Sequence, residues 1–108
     1  MVWDIRFYET QRGEKIVKRF IYSQESRIRT KATHLLDLLE AYGPRLGMPY
    51  VKRITNNLYE LRIRGKEEIR IFFSFKGSYI YLLHVFKKKT QKTPQKEINI
   101  ALQRLDKI

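Results

Sequence analysis

No cysteine occurs in this chain. That absence excludes a disulfide framework, a thiolate zinc site and a cysteine nucleophile, and it suits a reducing compartment. No apolar run approaches the roughly 18 residues of a membrane-spanning helix. The opening residues, MVWDIRFYET, hold no basic segment followed by an apolar stretch, so no secretory signal is read there. The expectation is a cytoplasmic protein with no membrane partner. Acidic residues are scarce as well: 11 stand against 23 lysines and arginines, for a net charge of +12. These acids do not cluster, and the two histidines, His34 and His84, fall in different elements. Neither a metal site nor a cofactor is therefore expected.

The positive excess is unevenly placed. Residues 1–48 carry about +3 and residues 49–108 about +9 by formal counting. Such a field releases counterions when it meets a phosphate backbone, which favours a nucleic-acid partner. A membrane surface would need the charge on an amphipathic helix or a tail, whereas much of it lies here in strand-like text. With 108 residues, 43% of them hydrophobic, the chain is read as one globular domain over residues 1–108.

Period and turn chemistry divide that domain into eight elements. Asp4 to Glu9 alternates and reads as a short strand. Glu14 to Tyr22 places Ile16, Val17, Phe20 and Ile21 at helical spacing. Ser23 is the expected cap of a second helix, with Ile28, Ala32, Leu35, Leu36 and Leu39 on one face and Gly43-Pro44 as its stop. From Tyr50 the period switches to two. Strands are expected over Tyr50–Thr55, Leu58–Arg64, Glu67–Phe75 and Tyr79–Phe86, with turns at Asn56-Asn57, Gly65-Lys66 and Lys76-Gly77-Ser78. Thr93 as cap and Pro94 in the first turn open a last helix, whose stripe is Ile98, Ala101, Leu102, Leu105 and Ile108. The order βααββββα predicts an α+β fold: an antiparallel β-meander, two N-terminal helices on one face, and a short C-terminal helix.

Side chains two apart on a strand share a face. Leu61 and Ile63 point one way, and Glu60, Arg62 and Arg64 the other; Ile69, Ile71, Phe73 and Phe75 form an apolar row opposite Arg70. The last strand runs into Lys87, Lys88 and Lys89. The expectation is one oily, helix-covered face and one open face lined with guanidinium groups, suited to RNA.

The segments LYELRIRG, IRIFFSF and YLLHVFKKKTQKTP, followed by a helix with EINIA, resemble in order the RelE/HigB superfamily of toxin–antitoxin toxins, and within it the phage-derived HigB-type branch. The likeness covers nearly the whole chain in element order, and its motif runs from Leu58 to about Ala101. Two positions depart from the pattern: Ile69 stands where relatives often place an aromatic residue, and Val85 where glycine is expected. The resemblance implies a RelE-like fold and a toxin that enters the ribosomal A site and cuts mRNA there. It also implies an antitoxin partner, in that branch commonly a helix-turn-helix HigA-like protein, with the ribosome and mRNA as further partners. Two other readings stand beside it: a toxin of the same fold that inhibits DNA gyrase, as in the ParE branch, and a non-enzymatic nucleic-acid-binding module.

Metal-independent RNA cleavage uses the neighbouring 2′-hydroxyl as nucleophile. It needs a base for that proton, positive charge for the phosphoryl oxygens and an acid for the leaving 5′-oxygen. Arg62 and Arg70 are the candidates for gripping the phosphate, since a guanidinium binds two oxygens at once; the competing reading is a solvated sheet edge charged against aggregation. Lys87 or Lys88 is the candidate base or acid, its pKa lowered by neighbouring cations, with a plain phosphate-binding tract as the alternative. His84 is either catalytic or a hydrogen-bonded core histidine. Arg64, Lys89 and Lys92 are expected as outer RNA contacts. Phe72, on the face of Arg70, is the one aromatic expected to stack on a base.

Overall fold

Alternation and helical spacing resolve into a five-stranded sheet with helices against both faces, described for residues 2–108 by a computed structural model. The elements are β1 (Asp4–Phe7), α1 (Ile16–Ser23), α2 (Ser26–Tyr42), a 3-10 turn (Gly43–Arg45), β2 (Val51–Thr55), β3 (Leu58–Ile63), β4 (Glu68–Lys76), β5 (Tyr79–Lys88) and α3 (Gln95–Leu105). The architecture is the expected RelE-like α+β arrangement. Strands β2 to β5 form an antiparallel meander, and β1 adds to its far side parallel to β5, in the order β1-β5-β4-β3-β2. Tight turns work as their residues dictate: Asn57 and Gly77 both adopt positive φ, at 56° and 60°.

Two helix starts differ from expectation. Ser23 closes α1, its hydroxyl donating to the Phe20 carbonyl at 2.7 Å, and Glu25 precedes α2 instead. Pro94 occupies the cap position of α3, and Thr93 is turned away from the helix toward the sheet. Strand β1 also stops at Phe7, two residues early.

The first core lies between the sheet and α1 and α2. Val17 and Ile21 of α1, and Ala32, Leu35 and Leu39 of α2, pack on Leu61, Ile63, Ile69, Ile71 and Phe73. These are the strand residues of odd parity, as alternation requires. Gly43 ends α2 at φ +53°, and the Trp3 indole lies so close that a methyl group there would overlap it. We expect Gly43→Ala to destabilise the fold by about 2–4 kcal/mol, read as a lowered urea midpoint at constant m-value.

A second, smaller core covers part of the opposite face. Leu58, Phe72, Leu83 and Phe86 pack under α3, which contributes Ala101 together with Ile98, Leu102 and Leu105. The register explains how β5 serves both sides. Phe72 pairs with His84 but Phe73 with Leu82, so Leu83 is an extra residue in β5. Leu82 consequently joins the first core while its neighbour Leu83 joins the second.

Candidate functional site

The second face is divided along its strands. Its apolar end carries α3, and its polar end gathers Glu60 and Arg62 of β3, Arg70 of β4 and Lys88 of β5. Arg62 and Arg70 stand directly opposite each other in the β3–β4 register, on one face as parity predicts. The face is not open as expected, because α3 lies across half of it and carboxylates occupy the arginines.

Arg70 is 2% exposed. One of its terminal nitrogens donates to Glu68 Oε1 at 2.8 Å, and its Nε lies 3.6 Å from Glu60 Oε1. A guanidinium so enclosed acts as a buried counter-charge and does not reach a phosphate in this conformation. Arg62 differs: its side chain retains 12% exposure, and only Nε is engaged, donating to Glu60 Oε1 at 3.1 Å. Arg62 borders a groove of about 470 Å³ lined also by Lys52, Arg53, Lys88, Lys92 and Thr93. Five cations thus surround one concavity.

The titration of Lys88, in that groove, is perturbed. Partial burial disfavours its ammonium first; Arg70, Arg62 and Lys52 push the pKa down further, and Glu60 opposes them. Lys87 points to the other face, where Ile69 is its register partner and Glu67 Oε2 lies 3.1 Å from its amine. The two lysines are therefore separated by the sheet. Arg64 joins Lys87 in a second cavity of about 690 Å³ beside α2, with Glu68 at 3.3 Å from its guanidinium. Lys89 is exposed on the connection that follows β5, and Lys92 of the same connection lines the groove.

Two further residues expected at the site, besides Lys87 and Arg64, lie elsewhere. Phe72 does share the face of Arg70, but α3 covers it fully and it is 0% exposed, tilted against Phe86 with ring centroids 5.3 Å apart. It offers no surface for a base. His84 sits beneath α3, with Nε2 2.8 Å from Glu97 Oε1 and Nδ1 3.4 Å from Arg104. Arginine only donates, so Nδ1 accepts and Nε2 carries the proton. Lys88 is four strand steps beyond His84, about 13 Å, and His84 does not line the groove.

The position of His84 has a consequence for stability. Burial pushes its imidazole below the usual value, with Glu97 opposing that shift and Arg104 adding to it. When the folded value lies below the unfolded one of about 6.5, the unfolded chain binds more protons in between, and stability is lost as pH falls through that window. We expect the urea midpoint to drop between pH 7.5 and pH 5, and His84→Gln to flatten that slope.

Lys52, Arg53 and Glu60 are groove and support residues that strand reading did not single out as functional. The signal for Lys52 was present: buried Val51 fixes the parity of β2, and Lys52 pairs with Glu60 across the β2–β3 ladder.

A family model described as phage-derived protein Gp49-like matches residues 19–106. The chain belongs to the Gp49-like family. That family is associated with RelE-like and toxin-like proteins. Among curated proteins, none matches the chain. The Gp49-like match starts within α1 and ends just past α3, so it contains every residue of the groove, the whole of α2 and α3, and the last part of α1. No helix of the described residues is long and apolar enough to cross a membrane.

Proposed function

We propose that this Gp49-like protein is the toxin of a toxin–antitoxin pair and cuts mRNA on the ribosome by 2′-hydroxyl attack. The observation that carries the reading is Lys88, an amine with a lowered pKa beside an arginine whose terminal nitrogens are free of carboxylates, in a groove of five cations. In this scheme neutral Lys88 takes the 2′-hydroxyl proton, and the oxygen attacks the adjacent phosphorus. Arg62 binds the non-bridging oxygens, whose negative charge grows in the transition state. A second ammonium of the groove, Lys52 or Lys92, gives its proton to the leaving 5′-oxygen. Arg70 supports the site from beneath, and Arg64, Lys87 and Lys89 serve as outer contacts for ribosomal or messenger RNA.

No aromatic residue is among the described lining of the groove, so in this reading the ribosome positions the substrate. An antitoxin, in this reading a helix-turn-helix HigA-like protein, would neutralise the basic groove or block its entry to the A site. Brief induction followed by primer extension tests the proposal. The expected result is growth arrest with message cut at fixed positions within codons, relieved by the co-expressed antitoxin. Intact message accompanied by a DNA-damage response would instead favour action on gyrase.

A further inference from the structure

Glu60 is a charged group of the polar end to which the proposed chemistry gives no task, and it is 0% exposed. A carboxylate so enclosed persists only where partners satisfy it. Three converge on it from three segments. Arg62 Nε of β3 donates to Oε1 at 3.1 Å, Arg70 Nε of β4 lies 3.6 Å from the same oxygen, and Thr93 Oγ1 donates to Oε2 at 3.1 Å. Arg70 Nε has no hydrogen-bond partner among the described residues, so it balances Glu60 by charge alone.

We propose that Glu60 is a positioning residue of the groove: its carboxylate orients the Arg62 guanidinium, ties the connection of residues 89–94 to the sheet through Thr93, and supplies the countercharge among the cations around Lys88. The inference rests on the reading of the groove as the cleavage centre. Holding Arg62 by Nε leaves the fork of terminal nitrogens for two phosphoryl oxygens. Fixing Thr93 places Lys92, one residue earlier, on the groove wall. The charges facing Lys88 come from every adjoining segment: Lys52 of β2, Glu60 and Arg62 of β3, Arg70 and Glu68 of β4, and Lys92 of the connection. Glu68 is taken up by Arg70 and Arg64, at 2.8 and 3.3 Å. Glu60 is thus the carboxylate that counters the cations around the amine. Without it, repulsion would splay Arg62 and Lys88 apart.

The test reads Lys88 in the free protein, without RNA. In lysine-labelled protein the Lys88 side-chain resonance is titrated by NMR for wild type and Glu60→Gln. The expected result is a midpoint lowered by about one unit in the variant; an unchanged or raised midpoint overturns the proposal. Should Glu60→Gln fail to fold, solvent exchange at Arg62 Nε–H in the wild-type protein decides. Slow exchange supports the Glu60 bond, and exchange as fast as in a free arginine overturns it. In ribosome-dependent cleavage, Glu60→Gln should move the acidic limb of the pH–rate profile down by the shift seen for Lys88. Loss of cleavage with no such movement reduces Glu60 to packing and overturns the positioning role. A wild-type protein that cuts no message defeats the ribonuclease reading, while the Lys88 midpoint still judges Glu60.

Discussion

Lys88→Arg is expected to lower ribosome-dependent mRNA cleavage by about 10²–10⁴-fold, the span that a positioned general base contributes. Arginine keeps the positive charge and the reach toward phosphate, but it is effectively never deprotonated. RNA binding should therefore survive while proton removal is lost. The lowered pKa of Lys88, caused chiefly by partial burial and then by the surrounding guanidiniums, is what gives lysine an advantage at this position. Lys88→Met removes both charge and base, and should lose affinity in addition to rate. The two variants together separate the roles. Cleavage by Lys88→Arg within tenfold of wild type would make Lys88 a phosphate ligand and return the question of the base to the other groove lysines.

The second large effect concerns the fold. Arg70→Ala is expected to cost about 3–5 kcal/mol, because it leaves the wholly buried Glu60 without one of its two cationic partners. The size of the effect follows from burial: Glu60 and Arg70 side chains retain 1% and 3% exposure, so water does not replace the lost partner. Arg70→Met, which fills the space but leaves the carboxylate charged, should lose nearly as much. Urea unfolding at pH 7 measures both. Loss of toxicity on removing either Arg70 or Arg62 would report instability first, since both neutralise Glu60, whereas Arg62→Lys, which keeps the charge beside Glu60 and loses the two-pronged fork, is the informative test of phosphate binding.

Much of this fold was legible because the chain signals period and punctuation plainly. The change from helical spacing to alternation at Tyr50, the Asn56-Asn57 and Lys76-Gly77 turns and the Gly43-Pro44 stop all correspond to observed boundaries within one or two residues. The shared face of Arg62 and Arg70 followed from parity alone. Three features did not follow. Pairing of β1 beside β5 joins residues 75 positions apart, Asp4 with Tyr79 for example, and nothing local specifies it. The extra residue at Leu83 breaks alternation inside an apolar run, where either face accepts leucine. Finally, an amphipathic stripe on α3 says that the helix packs but not upon which face of the sheet. That placement buried Phe72 and enclosed His84, and it turned an expected open surface into a groove beside a helix. Lys88 and Lys87 illustrate the same limit in miniature: adjacent in sequence, they fall on opposite faces, and only the register shows which joins the arginines.

The most direct measurement combines purified protein with ribosomes carrying a defined message and determines the chemistry of the new RNA ends. Attack by the 2′-hydroxyl leaves a 2′,3′-cyclic phosphate on the upstream fragment and a 5′-hydroxyl on the downstream one, and a single 2′-deoxy substitution at the cut site should abolish the reaction. Message that stays intact on the ribosome, or fragments ending in 3′-hydroxyl and 5′-phosphate, would contradict the basic groove as a centre of 2′-hydroxyl chemistry.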